Sequence, residues 1–298
     1  MSAKIHIIEI DPYAGFCSGV KKAISSAEEA LEEGPLCSLG SIVHNDEEVL
    51  RLERKGMKTI SADDLAENKG KKVFLRTHGE PPETYLKLKA KGFEYIDATC
   101  PVVKKLQERV KKATERVAME KGQVVIYGKK NHAEVIGLIG HSEGKALVIE
   151  NRNDLEQIDC SRPVEIFSQT TMKPEGLEEL KHLLEERITT LGLDPSRLLK
   201  IHNTICRQVS GREETVKAFA SRHDVILFVS GRKSSNGAML YAYACEVNPH
   251  SYRVSGPADV QKEWLSEGFS IGITGATSTP PWLMEEVRKQ VKVLLQTE

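Results

Sequence analysis

Short apolar runs alternate with longer amphipathic segments along almost the whole of this 298-residue chain. That alternation limits the fold more than any other feature. IHIIEI, VFLRT, FEYIDA, VVIYG, ALVIE, VEIFSQT, VILFVSG and SIGITGA are rich in Val and Ile and end near Gly, Thr or Ser, as buried strands do. Between them, residues 20–33, 46–55, 82–91, 102–120, 174–191, 212–221 and 281–295 carry apolar side chains at i, i+3 and i+4, the spacing of amphipathic helices. Strands that are nearly continuous in apolar residues belong to parallel sheets covered by helices on both faces. The expected class is α/β with mostly parallel sheets. No linker or low-complexity stretch interrupts the pattern, so its lobes should be closely packed.

Composition narrows the function. Net charge is −1, from 42 Lys+Arg against 43 Asp+Glu. A nucleic-acid partner usually calls for a basic excess or stripe, so none is expected. No apolar run approaches the roughly 20 residues of a membrane span, so no membrane partner is expected either. MSAKIHIIEI lacks the basic region, long apolar core and small-residue cleavage site of a signal peptide. A cytoplasmic location follows as the expectation. In that reducing compartment the six cysteines are thiols or metal ligands rather than a disulfide framework.

Three of those cysteines share one local setting. Cys17, Cys100 and Cys206 each follow a strand-like run and open a helix-like one. Each is preceded by an Asp or Asn (Asp11, Asp97, Asn203) and followed three residues on by a valine (Val20, Val103, Val209). Three thiols presented alike suggest one shared ligand. Structural zinc prefers four ligands and close Cys pairs, and no C-x-x-C is present. Thiolates are the usual ligands of iron–sulfur clusters, and three of them leave one iron of a four-iron cluster open to substrate. Cys37, Cys160 and Cys245 share none of this context and are expected to be structural. The intervals of 83 and 106 residues between the three matched cysteines each fit a small α/β lobe. The expected lobes are 12–99, 100–204 and 205–298, with segment 1–11 joining the third, in a pseudo-threefold arrangement around a central cluster.

Polar groups gather at the ends of the other strand-like runs. His44 follows SLGSIV, His78 follows VFLRT, His132 and Glu134 follow VVIYGKKN, and Ser234, Ser235 and Asn236 follow ILFVSGRK. Ser278 precedes the last helix, and Thr170 and Thr171 end VEIFSQT. VVIYGKKNHAEV echoes ILFVSGRKSSNGAM. Imidazoles, hydroxyls, an amide and helix N-termini make an anion site that suits a phosphate group. Glu134, two residues after His132, can face the same pocket. Burial beside anions would raise its pKa and equip it to donate a proton.

The strings GFCSGVKKAI, HNDEEV, THGEPPE, DATCPVV, NHAEVIGLIGH, SQTT, NTICRQV, GRKSSN and TGATSTP together resemble the LytB-type 4-hydroxy-3-methylbut-2-enyl diphosphate reductases, from about residue 10 to 285. The resemblance implies a 4Fe–4S cluster held by Cys17, Cys100 and Cys206, able to lose its open iron in air and leave a 3Fe–4S form. It implies diphosphate binding by His44, His78, His132, Ser234, Ser235, Asn236 and Ser278. It implies a proton path through Glu134, with Thr170 and His132 beside it. The implied reaction removes the allylic hydroxyl by two electrons and two protons, giving isopentenyl and dimethylallyl diphosphate, the last step of the methylerythritol phosphate route. Ferredoxin or flavodoxin would donate the electrons, to a monomer or weak homodimer. The chain departs from the family after Cys206, where Val209 replaces a common threonine, and at Glu80, which is expected to be a surface variation. A three-cysteine cluster enzyme of the quinolinate synthase type, or a non-enzymatic redox sensor or cluster carrier, is the competing reading.

Overall fold

The computed structural model describes residues 7–266 and 268–296. Twelve strands lie among them: β1 (Ile7–Ile10), β2 (Leu36–Leu39), β3 (Met57–Ile60), β4 (Lys72–Leu75), β5 (Tyr95–Asp97), β6 (Gln123–Tyr127), β7 (Leu147–Ile149), β8 (Val164–Ser168), β9 (Leu199–His202), β10 (Val225–Val229), β11 (Ser251–Val254) and β12 (Ser270–Gly275). They form three four-stranded parallel sheets, ordered β3-β2-β4-β5, β7-β6-β8-β9 and β11-β10-β12-β1. The three orders are one topology. In each sheet the first strand in sequence lies between the second and the third, and the fourth is at the edge beside the third. The last sheet follows the rule once β1 counts as its fourth strand. β1 runs parallel to β12, with Ile8 opposite Ile271 and Ile10 opposite Ile273. Of the expected strand IHIIEI, Ile5 and His6 lie outside the described residues.

The residue pattern explains why the helices form where expected. Pro101–Met119 buries Val103, Leu106, Val110, Ala113 and Val117, a 3-4-3-4 stripe, and starts on a proline whose missing N–H costs a first turn nothing. Val110 and Ala113 meet Val124, Ile126, Val135, Leu138 and Phe167 on one face of the β6–β9 sheet. Leu177, Leu180, Leu184 and Ile188 of Pro174–Thr190 cover Val125 and Ile166 on the other. Each fully buried large aliphatic contributes about 1.5–3 kcal/mol, enough for these stripes to fix the layers. Two helices carry no clear stripe in the sequence, Ala133–His141 and Ser235–Val247. Both start in site loops, and glycines 137, 140 and 237 break their pattern.

By internal contacts the chain divides into two compact units. One takes the described residues of Met1–Gly34, Ser41–Thr59 and Arg207–Glu298 and holds the β1/β10/β11/β12 sheet. The other takes Pro35–Gly40 and Ile60–Cys206 and holds the β6–β9 sheet and most of the β2–β5 sheet. No helix among the described residues is long and apolar enough to cross a membrane.

Candidate active site

In open parallel sheets ligands bind beyond the carboxyl ends of the strands, where the chain turns to opposite sides of the sheet. Here those points lie between β2 and β4, β6 and β8, and β10 and β12. The three matched cysteines stand beside them, each after the edge strand of its own sheet. Their settings agree atom by atom. Asp11, Asp97 and Asn203 each accept a hydrogen bond on Oδ1 from the backbone N–H two residues on (Tyr13 at 2.9 Å, Thr99 at 3.0 Å, Ile205 at 3.2 Å). These side chains turn the chain out of the strand. Each cysteine N–H then donates to the carbonyl of a threonine after the neighbouring strand: Cys17 to Thr277 (3.0 Å), Cys100 to Thr77 (3.0 Å) and Cys206 to Thr170 (2.9 Å). Cys17 and Cys100 cap helices Ser18–Glu33 and Pro101–Met119. With the N–H committed, the half-exposed thiol is the group each turn presents.

In the β6–β9 lobe the turn holds an acid. His132 caps helix Ala133–His141, and its Nδ1 accepts from the Glu134 N–H at 3.2 Å, which leaves the neutral ring's proton on Nε2. Glu134 is 2% exposed. Its two carboxylate oxygens accept from the Thr170 N–H (2.7 Å) and the Thr170 hydroxyl (2.6 Å). Burial pushes the carboxyl up to about 7, against the lowering effect of those two bonds. The His78 ring stands edge-on to His132, centroids 5.3 Å apart. After His78, Gly79 has φ +74, and a Cβ there would collide with the Gln107 side-chain amide. Gln107 is 4% exposed and its Nε2 has no hydrogen-bond partner among the described residues. Sequence reasoning missed it, because it sits on the apolar side of an amphipathic helix.

The β10/β12 lobe repeats the construction with an amide. Ser234 caps helix Ser235–Val247, accepting from the Gly237 N–H at 2.9 Å. Two residues after the cap, as Glu134 stands after His132, Asn236 accepts on Oδ1 from both the Thr277 N–H (2.9 Å) and the Thr277 hydroxyl (2.9 Å). Glu134–Thr170–Cys206 and Asn236–Thr277–Cys17 are thus the same three-residue chain. Committing Oδ1 to Thr277 leaves the Asn236 Nδ2 donor buried without a partner among the described residues. The Ser234 and Ser278 hydroxyls lie 3.4 Å apart, and Ser235 is half-buried in the first turn. Gly231 lies so close to His44 that a Cβ would strike the His44 carbonyl oxygen. Asn45 caps Asp46–Arg54 through Oδ1, and its Nδ2 too is buried without a partner among the described residues. A buried donor left unmatched costs roughly 1–3 kcal/mol, so these amides suit an incoming anion.

The family model described as LytB protein matches residues 8–292. The chain belongs to the LytB family. A curated relative from Porphyromonas gingivalis, 47% identical over 291 residues (97% of this chain, 99% of the relative), is named 4-hydroxy-3-methylbut-2-enyl diphosphate reductase. One from Phocaeicola vulgatus with the same name is 46% identical, covering 95% and 98%. A solved structure of (E)-4-hydroxy-3-methyl-but-2-enyl diphosphate reductase, described as the terminal enzyme of the non-mevalonate pathway, is 36% identical with TM-score 0.69, covering 97% of this chain and all of that one. The Plasmodium falciparum E-1-hydroxy-2-methyl-but-2-enyl-4-diphosphate reductase superposes with TM-score 0.82 at 26% identity, covering 99% and 89%.

This LytB chain carries one correction to the sequence reading. Glu80, expected at the surface, is only 8% exposed and pairs with Arg76 Nε at 3.2 Å, and burial raises its pKa. The proline-rich turn around it folds inward, which no local pattern announces. Val209, at the departing position, is a buried apolar side chain. Cys37 and Cys160 lie in the cores of their lobes, Cys160 with its thiol pKa raised by burial, and Cys245 is exposed.

Proposed function

We propose that this chain reduces (E)-4-hydroxy-3-methylbut-2-enyl diphosphate to isopentenyl and dimethylallyl diphosphate, with a 4Fe–4S cluster on Cys17, Cys100 and Cys206. The observation that carries the reading is the recurrence of one turn around all three cysteines, with an Asx turn before it, a committed N–H and a half-exposed cysteine. Three soft donors in matched turns, with no fourth cysteine in such a setting, fit a cluster with one open iron. When bound, the cluster would supply electrons singly and a Lewis-acid iron for the substrate hydroxyl. Ferredoxin or flavodoxin would deliver those electrons.

The protein's own groups do the rest. Asn236 Nδ2, the Ser234 and Ser278 hydroxyls, Ser235 and the imidazoles of His44, His78 and His132 hold the diphosphate. His132 donates from Nε2 while Nδ1 stays on the Glu134 N–H. Glu134 holds a proton near neutral pH. When protonated it reverses its bond to Thr170: the carboxyl O–H donates to the Thr170 oxygen, and the Thr170 O–H turns toward the departing hydroxyl. Hydroxide leaves poorly, and the proton lets it leave as water. The balance is two electrons and two protons consumed, one carbon–oxygen bond broken, one carbon–hydrogen bond and one water formed. A dicarboxylate substrate of the quinolinate synthase kind would call for arginines at strand ends; of Arg76, Arg207 and Arg232, Arg76 is paired with Glu80 and Arg232 with Asp259, and the imidazole, hydroxyl and amide set favours phosphate.

Anaerobic iron and sulfide analysis tests the ligand set. Cys17→Ser, Cys100→Ser and Cys206→Ser should each lose the brown chromophore. Cys37→Ser, Cys160→Ser and Cys245→Ser should keep about four irons per chain. A chromophore that survives any of the first three removes that cysteine from the set.

A further inference from the structure

Arg253 projects from β11, paired in register with Phe228 of β10. Its guanidinium makes no ion pair with any described carboxylate. It is spent on one turn: Nε–H donates to the Ser230 hydroxyl oxygen (2.8 Å), and Nη2–H to the carbonyls of Gly231 (2.6 Å) and Arg232 (3.3 Å). Half-burying a cation among carbonyls costs solvation, and burial lowers its pKa accordingly. The turn so held is the one that delivers the anion-binding groups. The Gly231 carbonyl that takes Nη2 also takes the Ser234 N–H at 3.1 Å. Gly231 rests on the His44 carbonyl. The Ser230 side chain lies so near Gly237 that a Cβ there would come within 2.7 Å of Ser230 Cβ and Oγ. His44, Ser234 and, through the helix start, Asn236 therefore take their mutual spacing from residues 230–234.

We propose that Arg253 is a positioning residue for diphosphate recognition: its planar fork locks the 230–232 turn and so sets the distance between His44 and the Ser234–Asn236 donors. The role needs the fork and not the charge alone, since a lysine ammonium cannot span a hydroxyl and two carbonyls in one plane. This inference rests on the proposed diphosphate site.

The test compares Arg253→Lys and Arg253→Met with wild type and Asn236→Ala in the iron-loaded enzyme. It measures KM and kcat for the hydroxymethylbutenyl diphosphate, Kd for inorganic diphosphate, iron content and thermal midpoint. Both Arg253 variants should raise KM and the diphosphate Kd about tenfold or more, as expected for losing bonds from a charged donor. Both should leave kcat within about twofold and iron content unchanged. Arg253→Lys at wild-type KM overturns the fork argument. A fall in kcat that tracks iron loss or a collapsed midpoint in both variants overturns positioning in favour of general support of the lobe. If Asn236→Ala weakens diphosphate binding and neither Arg253 variant does, this inference alone falls. If Asn236→Ala has no effect, the diphosphate site itself is wrong and the inference goes with it.

Discussion

Glu134→Gln should make the protein less active and, at alkaline pH, more stable. The carboxyl is fully enclosed, with a pKa of about 7 against an ordinary 4.5. Each unit is worth 1.36 kcal/mol, so holding the carboxylate in place at pH 8 costs the fold about 3 kcal/mol. The sign follows from proton binding. Between pH about 4.5 and about 7 the folded chain keeps a proton that the unfolded chain has lost. The favourable contribution is therefore complete below about 4.5 and is lost as pH rises through about 7. Glutamine keeps the shape and both contacts: its oxygen accepts from the Thr170 N–H, and its amide donates to the Thr170 hydroxyl. It carries no charge to desolvate. Urea unfolding of both proteins under anaerobic conditions at pH 5 and pH 8, followed by far-UV circular dichroism, measures the difference of differences. Relative to wild type, the variant should gain up to about 3 kcal/mol between pH 5 and pH 8. A wild-type-to-variant gap that is the same at both pH values would refute the claim that Glu134 is a neutral acid held near its transition.

Three further outcomes follow from the same geometry. Thr170→Val keeps the N–H but removes the hydroxyl at 2.6 Å from the carboxylate. It should lower kcat, since the relay hydroxyl is gone, and lift the Glu134 pKa by roughly one to two units, moving the alkaline limb of the residual kcat/KM upward; an unmoved limb counts against the Thr170 contact. Gly79→Ala should cost about 1–3 kcal/mol for its φ of +74 before the collision with Gln107 is added. Gln107→Ala in the same chain should return part of that loss in thermal unfolding, and strict additivity of the two changes would contradict the collision. Asn236→Asp places a second carboxyl in a threonine cradle. Its affinity for inorganic diphosphate should fall at least tenfold at pH 8 and recover toward pH 5, and a pH-independent affinity would mean that Nδ2 is not a donor there.

The fold class was legible because buried parallel strands and striped helices leave period and composition signals, as in VVIYG or in Val103 to Val117. The cysteine turns were legible because an Asx residue, a thiol and a helix start are all local. What escaped detection is non-local. Segment 1–11 was expected to join the third lobe, but the register of β1 on β12, between residues some 263 positions apart, is written in no local pattern. Four-residue strands such as LCSL carry Ser38 and Cys37 in buried positions and mimic a loop. The shared roles of Thr77, Thr170 and Thr277 depend on backbone carbonyls, which no side-chain pattern encodes. Glu80 was misread for the converse reason: an acid beside two prolines resembles a surface turn until Arg76 is seen beside it.

Product analysis under anaerobic conditions decides whether this chain is the reductase proposed. Iron-loaded protein, kept free of oxygen, is given (E)-4-hydroxy-3-methylbut-2-enyl diphosphate and a one-electron reductant, and the products and electrons consumed are counted. Isopentenyl and dimethylallyl diphosphate should appear in a sum equal to the substrate lost, with two electrons per molecule, and Glu134→Gln should give no such turnover. Fully iron-loaded protein that leaves the substrate intact, or a Glu134→Gln variant that turns it over at the wild-type rate, would contradict it.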